Sequence, residues 1–404
     1  MQISDIHLDG QISSSLAFTV DKLKERESEI RKVFADAIQM AIERRVEIIL
    51  LPGDLWEDEH VSPDTIGWLG DQFRLLENHA IPVFIAPGNH DFFSSECGYS
   101  REFRQRERLP DWPSNVFVFT SGDFQTECLT KMPNVTVTGR AFRQNVVVDE
   151  RLLRQKIPHP DGEISLLLFH GSRLRGVPQG GKPLITAPFE DEELLTQKFS
   201  YVALGHYHTY QTISDTAGRI RAAYSGSPIG RMLYETGERG MLILKVGPDG
   251  VLPGAEEFIT LDRRRIIRAR VDLTGATHLE AMENRIRESM QQEGARQDDI
   301  MYIELMGRHP PSISPDFPKE FLTDYFWHVR VVNATEPDYD LEAYRARDAR
   351  TVDARFAREI LRRLEASGDP EERAQLKEAL YLGLDALIQG RITVREFDEL
   401  IGQG

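Results

Sequence analysis

Five short stretches of this chain carry side chains of the kind that hold hard divalent cations: Asp5-Ile6-His7, Gly53-Asp54, Gly88-Asn89-His90-Asp91, Phe169-His170-Gly171 and Gly205-His206-Tyr207-His208. Carboxylate, imidazole and amide donors without thiolate suit Mn²⁺, Fe²⁺ or Zn²⁺ rather than a soft-metal site. Two cations acting together on a phosphoryl group must sit roughly 3.5–4 Å apart, which calls for a carboxylate shared between them. Asp54 is the natural bridge. Asp5 and His7 are two residues apart, as are His206 and His208, so each pair is expected to project to one side of an extended segment and give one ion two ligands. A lone Asp-x-His would mean little; five such stretches in one setting form a pattern.

That setting is the end of a strand. Ile30, Val33, Phe34, Ala37, Ile38, Ala41 and Ile42 place one apolar stripe on a helix. The helix leads into a β-branched run, 46–51, which Pro52-Gly53 ends. A second helical stretch around 68–78 leads to a strand at 81–85, ended by Ala86-Pro87-Gly88. Strands that follow helices predict a parallel sheet covered by helices, with ligands gathered at the carboxyl ends of the strands. Further strands are expected at 116–119, 135–139, 165–169, 201–204, 222–224 and 241–246. From Arg263 the pattern changes to strand 266–273, helix 277–292 and strands 300–306 and 328–332, a small α+β unit. Two helical stripes close the chain: Val352, Phe356, Ile360 and Leu364, then Leu376, Ala379, Leu380, Leu384, Leu387 and Ile388. Asp369-Pro370 starts the second helix and Gly390 ends it. The expected division is 1–261, 262–335 and 336–404.

Composition bounds the partners. The 404 residues include 49 Lys+Arg against 65 Asp+Glu, a net charge of −16, with 40% hydrophobic residues. This is an acidic globule with a large core, neither a disordered chain nor a disulfide-stapled miniprotein. Polyanion contact then needs a local basic surface, a metal centre or a partner. Cys97 and Cys128 are the only cysteines and form no C-x-x-C pair, so thiolate zinc has no support and a reducing cytoplasm fits. No apolar run approaches the ~18 residues that span a bilayer, and no signal-type leader is present, so a soluble, unexported protein is expected.

Taken together, Asp5-x-His7, Gly53-Asp54, Gly88-Asn89-His90-Asp91, His170 and Gly205-His206-x-His208 resemble the motif set of the calcineurin-like metallophosphoesterases. The Ser4-Asp5-Ile6-His7-Leu8 opening, Tyr224-Ser225-Gly226-Ser227-Pro228 and the small unit that follows resemble the DNA double-strand-break repair exonuclease branch, the nuclease subunit of SbcCD-type complexes. The implied fold is α/β, a β-sandwich flanked by helices, with a small α+β capping domain and a C-terminal helical hairpin. By resemblance, Asp5, His7, Asp54 and His208 hold one metal, and Asp54, Asn89, His170 and His206 a second. His90 is left to face the scissile phosphate and assist the departing oxygen. The metals are expected to be Mn²⁺, with Fe²⁺ or Zn²⁺ as alternatives. Where the family often has Asp or His three residues beyond the bridging aspartate, this chain has Glu57, which can orient His90 instead. Only four residues precede Asp5, so the true start is expected upstream.

The expected activity is a two-metal phosphodiesterase acting on DNA. The alternatives are a phosphoesterase for a small nucleotide or phosphomonoester, and a non-catalytic scaffold for an ATPase. Arg173 and Arg175, close after His170, are the candidates for phosphate contact; Arg101, Arg104, Arg106, Arg108, Arg140, Arg143 and Arg263 to Arg265 are weaker ones. The resemblance implies docking of the tail on an ATPase related to chromosome-maintenance proteins, and a homodimer; intramolecular packing of the tail stands beside it. His60, His79, His159, His278, His309 and His328 are given structural or surface roles.

Overall fold

Period-two alternation in short central strands sets the architecture. In the computed structural model, residues 58–60, 146–150, 160–163, 176–184, 311–312, 314–321, 323–324, 347–349 and 391–404 lie outside the description; His60, most of the proline-rich loop and the chain's end fall there. Helix α1 (Val20–Glu43), capped by the Thr19 side chain, precedes β1 (Ile49–Leu51). Helix α2 (Pro63–Asn78), capped by Ser62, precedes β2 (Val83–Ile85), and a short α3 (Arg101–Arg106) precedes β3 (Val116–Val118). These strands are parallel, with Leu50, Phe84 and Phe117 side by side. Gln2 bridges Leu50 on one side and Leu242 on the other, so the chain start lies between β1 and the antiparallel pair β10 (Gly240–Gly247) and β11 (Gly250–Thr260).

The facing sheet has the order β4-β5-β6-β7-β9-β8 among the described residues. Its members are β4 (Gln125–Leu129), β5 (Met132–Gly139), β6 (Ile164–His170), β7 (Tyr201–Gly205), β8 (Gln211–Ser214) and β9 (Ile220–Tyr224), with helix α4 (Asp191–Thr196) between β6 and β7. Leu50 and Phe84 from one sheet meet Leu166, Leu168, Tyr201, Ala203 and Ala223 from the other in a shared core. The alternate residues face outward: Ile49, Leu51, Val83 and Ile85 pack on Phe34, Ile38, Leu69 and Phe73 of α1 and α2. Leu167, Phe169, Val202 and Leu204 pack on Phe142, Phe189 and Leu194. Each fully buried side chain of this size contributes roughly 1.5–3 kcal/mol. The sandwich is therefore over-determined, and its strand ends are rigid mounts.

After Leu261 the chain enters β12 (Ile266–Asp272), α5 (Leu279–Gln292), β13 (Ile300–Met306) and β15 (His328–Asn333), with short β14 (Arg308–His309) and β16 (Glu336–Pro337) pairing separately. Strands β12, β13 and β15 form a parallel sheet whose Ile267, Val271, Met301 and Ile303 pack on Met282, Ile286 and Met290 of α5. The passage into this unit is clamped to α1. Arg26, fully buried, bonds both oxygens of Asp262 at 2.8 and 2.7 Å and the Gly230 carbonyl at 2.8 Å. Arg264 bonds Glu25 and Glu29 and stacks 4.2 Å from the Trp327 ring centre.

The tail comprises α6 (Leu341–Ala346), α7 (Val352–Ala366) and α8 (Pro370–Gln389), with Asp369 capping α8 and Gly390 ending it. Its buried seam differs from the expected stripe. Ala354, Ala357 and Leu361 meet Leu380 and Leu384; Phe356, Ile360 and Leu364 sit at the margin, and Val352 is exposed. Small residues win the seam because the helices approach closely: a Cβ on Gly383 would lie 2.1 Å from the Phe356 ring. Arg308 joins the tail to β14 by pairing with both oxygens of Asp385 at 3.2 and 2.7 Å.

Candidate metal centre

The sandwich delivers the five stretches to one end of its two sheets. His170 is the last residue of β6 and His206 follows β7 directly. Asp54 comes three residues after β1, and Asn89 four after β2. Asp5 and His7 lie between the bridging residues Gln2 and Leu8, but not on an extended segment as their spacing predicted. Asp5, His7 and Asp54 have φ of +52°, +49° and +56°, a left-handed conformation that costs non-glycine residues roughly 1–2 kcal/mol each. Hydrogen bonds from Asp5 N to Gly53 O (3.2 Å) and from His7 N to Asp54 O (3.0 Å) hold the two loops in register. A Cβ on Gly205 would lie 1.9 Å from the Pro52 carbonyl oxygen. That close approach leaves the carbonyl free to accept His170 Nδ1–H at 2.9 Å.

Three imidazoles turn their Nδ1 outward. His7 donates to Glu57 (2.7 Å), His208 to Glu235 (2.5 Å) and His170 to Pro52 O. In the neutral ring the other nitrogen is then a bare lone pair. Yet His7 Nε2 faces His208 Nε2 at 3.2 Å, and His170 Nε2 faces Asn89 Oδ1 at 3.0 Å and Asp54 Oδ2 at 3.3 Å. Acceptors that converge on acceptors require positive charge between them. Asp5, His7, Asp54, Asn89 and His170 are all buried, and unpaired carboxylates are costly there. Asp54 Oδ2 is also 3.9 Å from His7 Nε2, and His208 Nε2 is 4.0 Å from Asp5 Oδ1. Asp5, His7 and His208 thus offer ligand atoms to one point, and Asp5, Asp54 and His170 to another. The His206 ring lies 5.3 Å from that of His170, and the His206 backbone N–H donates to Asp5 Oδ1 at 2.9 Å. The donor set fits two hard divalent cations.

Titration follows the same demand. Burial, reinforced by the Arg231 charge, pushes the His7 imidazole down to about 3, so its ring is neutral at physiological pH. For His170, burial works downward, but Asp54 and then Asp5 outweigh it and push the ring up to about 9. The carboxylates thus draw a proton onto Nε2, the nitrogen that is a bare lone pair only when a cation takes that proton's place.

His90 stands apart from the buried cluster, with 39% of its side chain exposed against 1% for His7. Its Nδ1 donates to Glu57 Oε2 at 2.6 Å, while Oε1 of the same carboxylate holds His7. Burial alone would lower the His90 ring, but the Glu57 hydrogen bond and the Asp54 and Glu57 charges push it up to about 9, which leaves it protonated at neutral pH. Asp91, the last residue of its stretch, turns away from the cluster. It accepts from Asp54 N (3.1 Å), Leu55 N (2.8 Å), Gly88 N (2.6 Å) and Tyr99 OH (2.5 Å), and so ties together the loops after β1 and β2.

Glu235 was not anticipated from the sequence. It sits in a Tyr-Glu-Thr-Gly turn that reads as solvent-facing, yet it is 1% exposed. The arginines picked from the sequence are mostly engaged within the chain. Both arms of the Arg173 fork bond Asp191, at 2.6 and 2.5 Å, while Arg175 is 69% exposed with Glu192 at 3.9 Å. Arg104 bonds Pro110 O and stacks 3.9 Å from the Trp112 ring centre; Arg265 bonds Asp299. Among the set-aside histidines, His159 and His328 hydrogen-bond the carbonyls of Gln197 and Leu16.

Comparison with known proteins agrees with this geometry. Residues 1–210 match the family described as calcineurin-like phosphoesterase. An uncharacterized metallophosphoesterase, YhaO of Bacillus subtilis (strain 168), is 25% identical over 302 residues, covering 74% of this chain and 69% of that protein. The DNA double-strand break repair protein Mre11 of Sulfolobus acidocaldarius is 22% identical over 338 residues, 82% of this chain and 81% of its own. Mre11 of Sulfurisphaera tokodaii is 28% identical over 232 residues, 56% of this chain, and the match spans only 53% of that relative. With its sandwich, its strand-end cluster and a family match over more than half its length, the chain belongs to the calcineurin-like phosphoesterases.

Proposed function

We propose that this protein is a two-metal phosphodiesterase acting on DNA, a repair nuclease working as exonuclease or endonuclease. The observation that carries the reading is the convergence of bare imidazole, carboxylate and amide acceptors in one buried pocket, with His90 at its exposed rim. In this reading Asp5, His7, Asp54 and His208 hold one cation, and Asp54, Asn89, His170 and His206 the other. Bound Mn²⁺ ions would supply Lewis acidity toward a phosphoryl oxygen and a water acidic enough to attack at neutral pH. His90 contributes a proton at the rim: its ring donates a hydrogen bond to the phosphoryl group and then a proton to the departing oxygen. Glu57 fixes the plane of that ring, and Asp91 fixes the loops that carry Asp54 and His90.

DNA is favoured over a small nucleotide because the chain continues beyond the family match into the β12–β13–β15 unit and the tail, and because Mre11 proteins are among its relatives. Recognition would be of backbone and ends rather than of bases. The exposed Leu387 and Ile388 of α8 support docking of the tail on an ATPase partner. A cytoplasmic location agrees with two cysteines outside any disulfide, and no helix among the described residues is long and apolar enough to cross a membrane. The test is cleavage of blunt, overhang and hairpin DNA with Mn²⁺, Mg²⁺ or chelator, beside cyclic nucleotides and phosphomonoesters. Mn²⁺-dependent DNA cleavage that His90→Asn abolishes is expected. Turnover of the small substrates alone would replace DNA with a nucleotide substrate.

A further inference from the structure

The imidazoles of the centre are not backed alike. His7 and His208 each donate Nδ1–H to a carboxylate, whereas His170 donates to a peptide carbonyl. A ligand histidine whose proton is held by a carboxylate is fixed in one tautomer and is the more basic donor at its other nitrogen. Asp5 and Asp54 serve both sides, so the difference lies in the backing: Glu57 and Glu235 stand behind the His7–His208 side, while the Asn89–His170 side adds a neutral amide and a carbonyl-backed ring.

Glu235 is built to hold still. It is 1% exposed, and its second oxygen accepts from Arg231 N at 2.5 Å and Met232 N at 3.0 Å. Arg239 braces the same arrangement by donating to the carbonyl oxygens of Glu235 (3.3 Å) and His208. The Arg231 side chain also reaches Glu57 Oε1 at 3.5 Å, so one residue touches both backing carboxylates, Glu235 through its backbone N–H and Glu57 through its guanidinium. Neither oxygen of Glu235 is left over to bind a metal itself, which makes it a positioning residue acting through His208.

We infer that Glu235 positions His208 and, together with Glu57, makes the Asp5–His7–His208 half of the centre the tighter cation site, so that the two halves fill in order. The inference rests on the two-metal reading. A glutamine at 235 has one oxygen in place of two, so it must give up either His208 or the Arg231 and Met232 N–H groups, and it removes a charge.

The experiment is a Mn²⁺ titration of the chelator-stripped full chain, followed by calorimetry and electron paramagnetic resonance. In the parent protein, the first equivalent should bind in a distinct tighter class with the spectrum of an isolated Mn²⁺. The second should convert it to a spin-coupled pair. Glu235→Gln should weaken the tighter class roughly 10–100-fold, and Glu235→Asp, which keeps the charge, should recover part of that loss. Asn89→Ala should keep the tighter class and its isolated spectrum while abolishing the coupled pair. Two equivalent sites in the parent, unchanged first-class affinity in a folded Glu235→Gln, or loss of the tighter class in Asn89→Ala would each overturn the inference and leave the two-metal reading standing. If Glu235→Gln does not fold, Asn89→Ala and the parent titration decide between the outcomes. No Mn²⁺ bound at all would remove the two-metal reading itself.

Discussion

Around Asp54 the chain buries two aspartates, an asparagine and histidines on partly left-handed backbone; in the α7–α8 seam it buries Ala354, Ala357, Leu361, Leu380 and Leu384 on regular helix. The seam is stabilised by its own contents. The pocket is held in shape by what surrounds it: the strand ends, the Asp91 bonds and the two backing glutamates. Damage to the pocket should therefore remove chemistry while sparing the fold, and damage to the seam should do the reverse.

The largest test of that contrast is Asp54→Ala. It takes away the proposed shared ligand and should lower turnover at least about 10⁴-fold, roughly 5 kcal/mol of barrier, with an unchanged circular dichroism spectrum. Residual activity above a hundredth of the parent would break the comparison. Next comes Leu384→Ala, which should cost about 2–5 kcal/mol in tail stability, read in denaturant melts. Cleavage per folded molecule should stay level, and a parallel fall in turnover would mean that the seam also shapes the pocket. Mn²⁺ sharpens the point from the other side: at 100 times its dissociation constant it should stabilise the parent by about 2.7 kcal/mol. The same melt on Asp54→Ala should show little of that gain. The smallest effect is expected for Glu57→Ala, whose loss of ring orientation should lower turnover about 10–100-fold at saturating Mn²⁺. Parent-like turnover would remove Glu57 from the site.

Much of this contrast could be read in the sequence, and the parts that could not have a common cause. Helix α1 and strands β1, β2, β6, β7 and β9 stand out because central elements are apolar on the faces they bury. β4, β8 and β11 were missed: they lie at sheet edges, half in solvent, and their Gln, Thr, Glu and Pro residues carry no apolar alternation. The five metal-type stretches were visible because chemistry dictates residue type. The backbone that presents Asp5 and His7 was not, because two-residue spacing suits a strand, and nothing in the letters marks a left-handed turn. Glu235 lay deeper still, since a buried glutamate in a turn looks like any surface glutamate until its histidine is seen. Arg173 shows what spacing leaves out: proximity in sequence to His170 suggests a phosphate role, while the fold pairs both arms of its guanidinium fork with Asp191.

The positive φ angles at Asp5 and Asp54 have a practical corollary. Asparagine is among the residues that accept such angles most readily, and an uncharged amide is easier to house in a dry cavity than a carboxylate. Screens that reward yield or heat resistance should drift toward asparagine at both positions and enrich well-behaved but inert protein. For this chain, good expression is a poor proxy for a working centre.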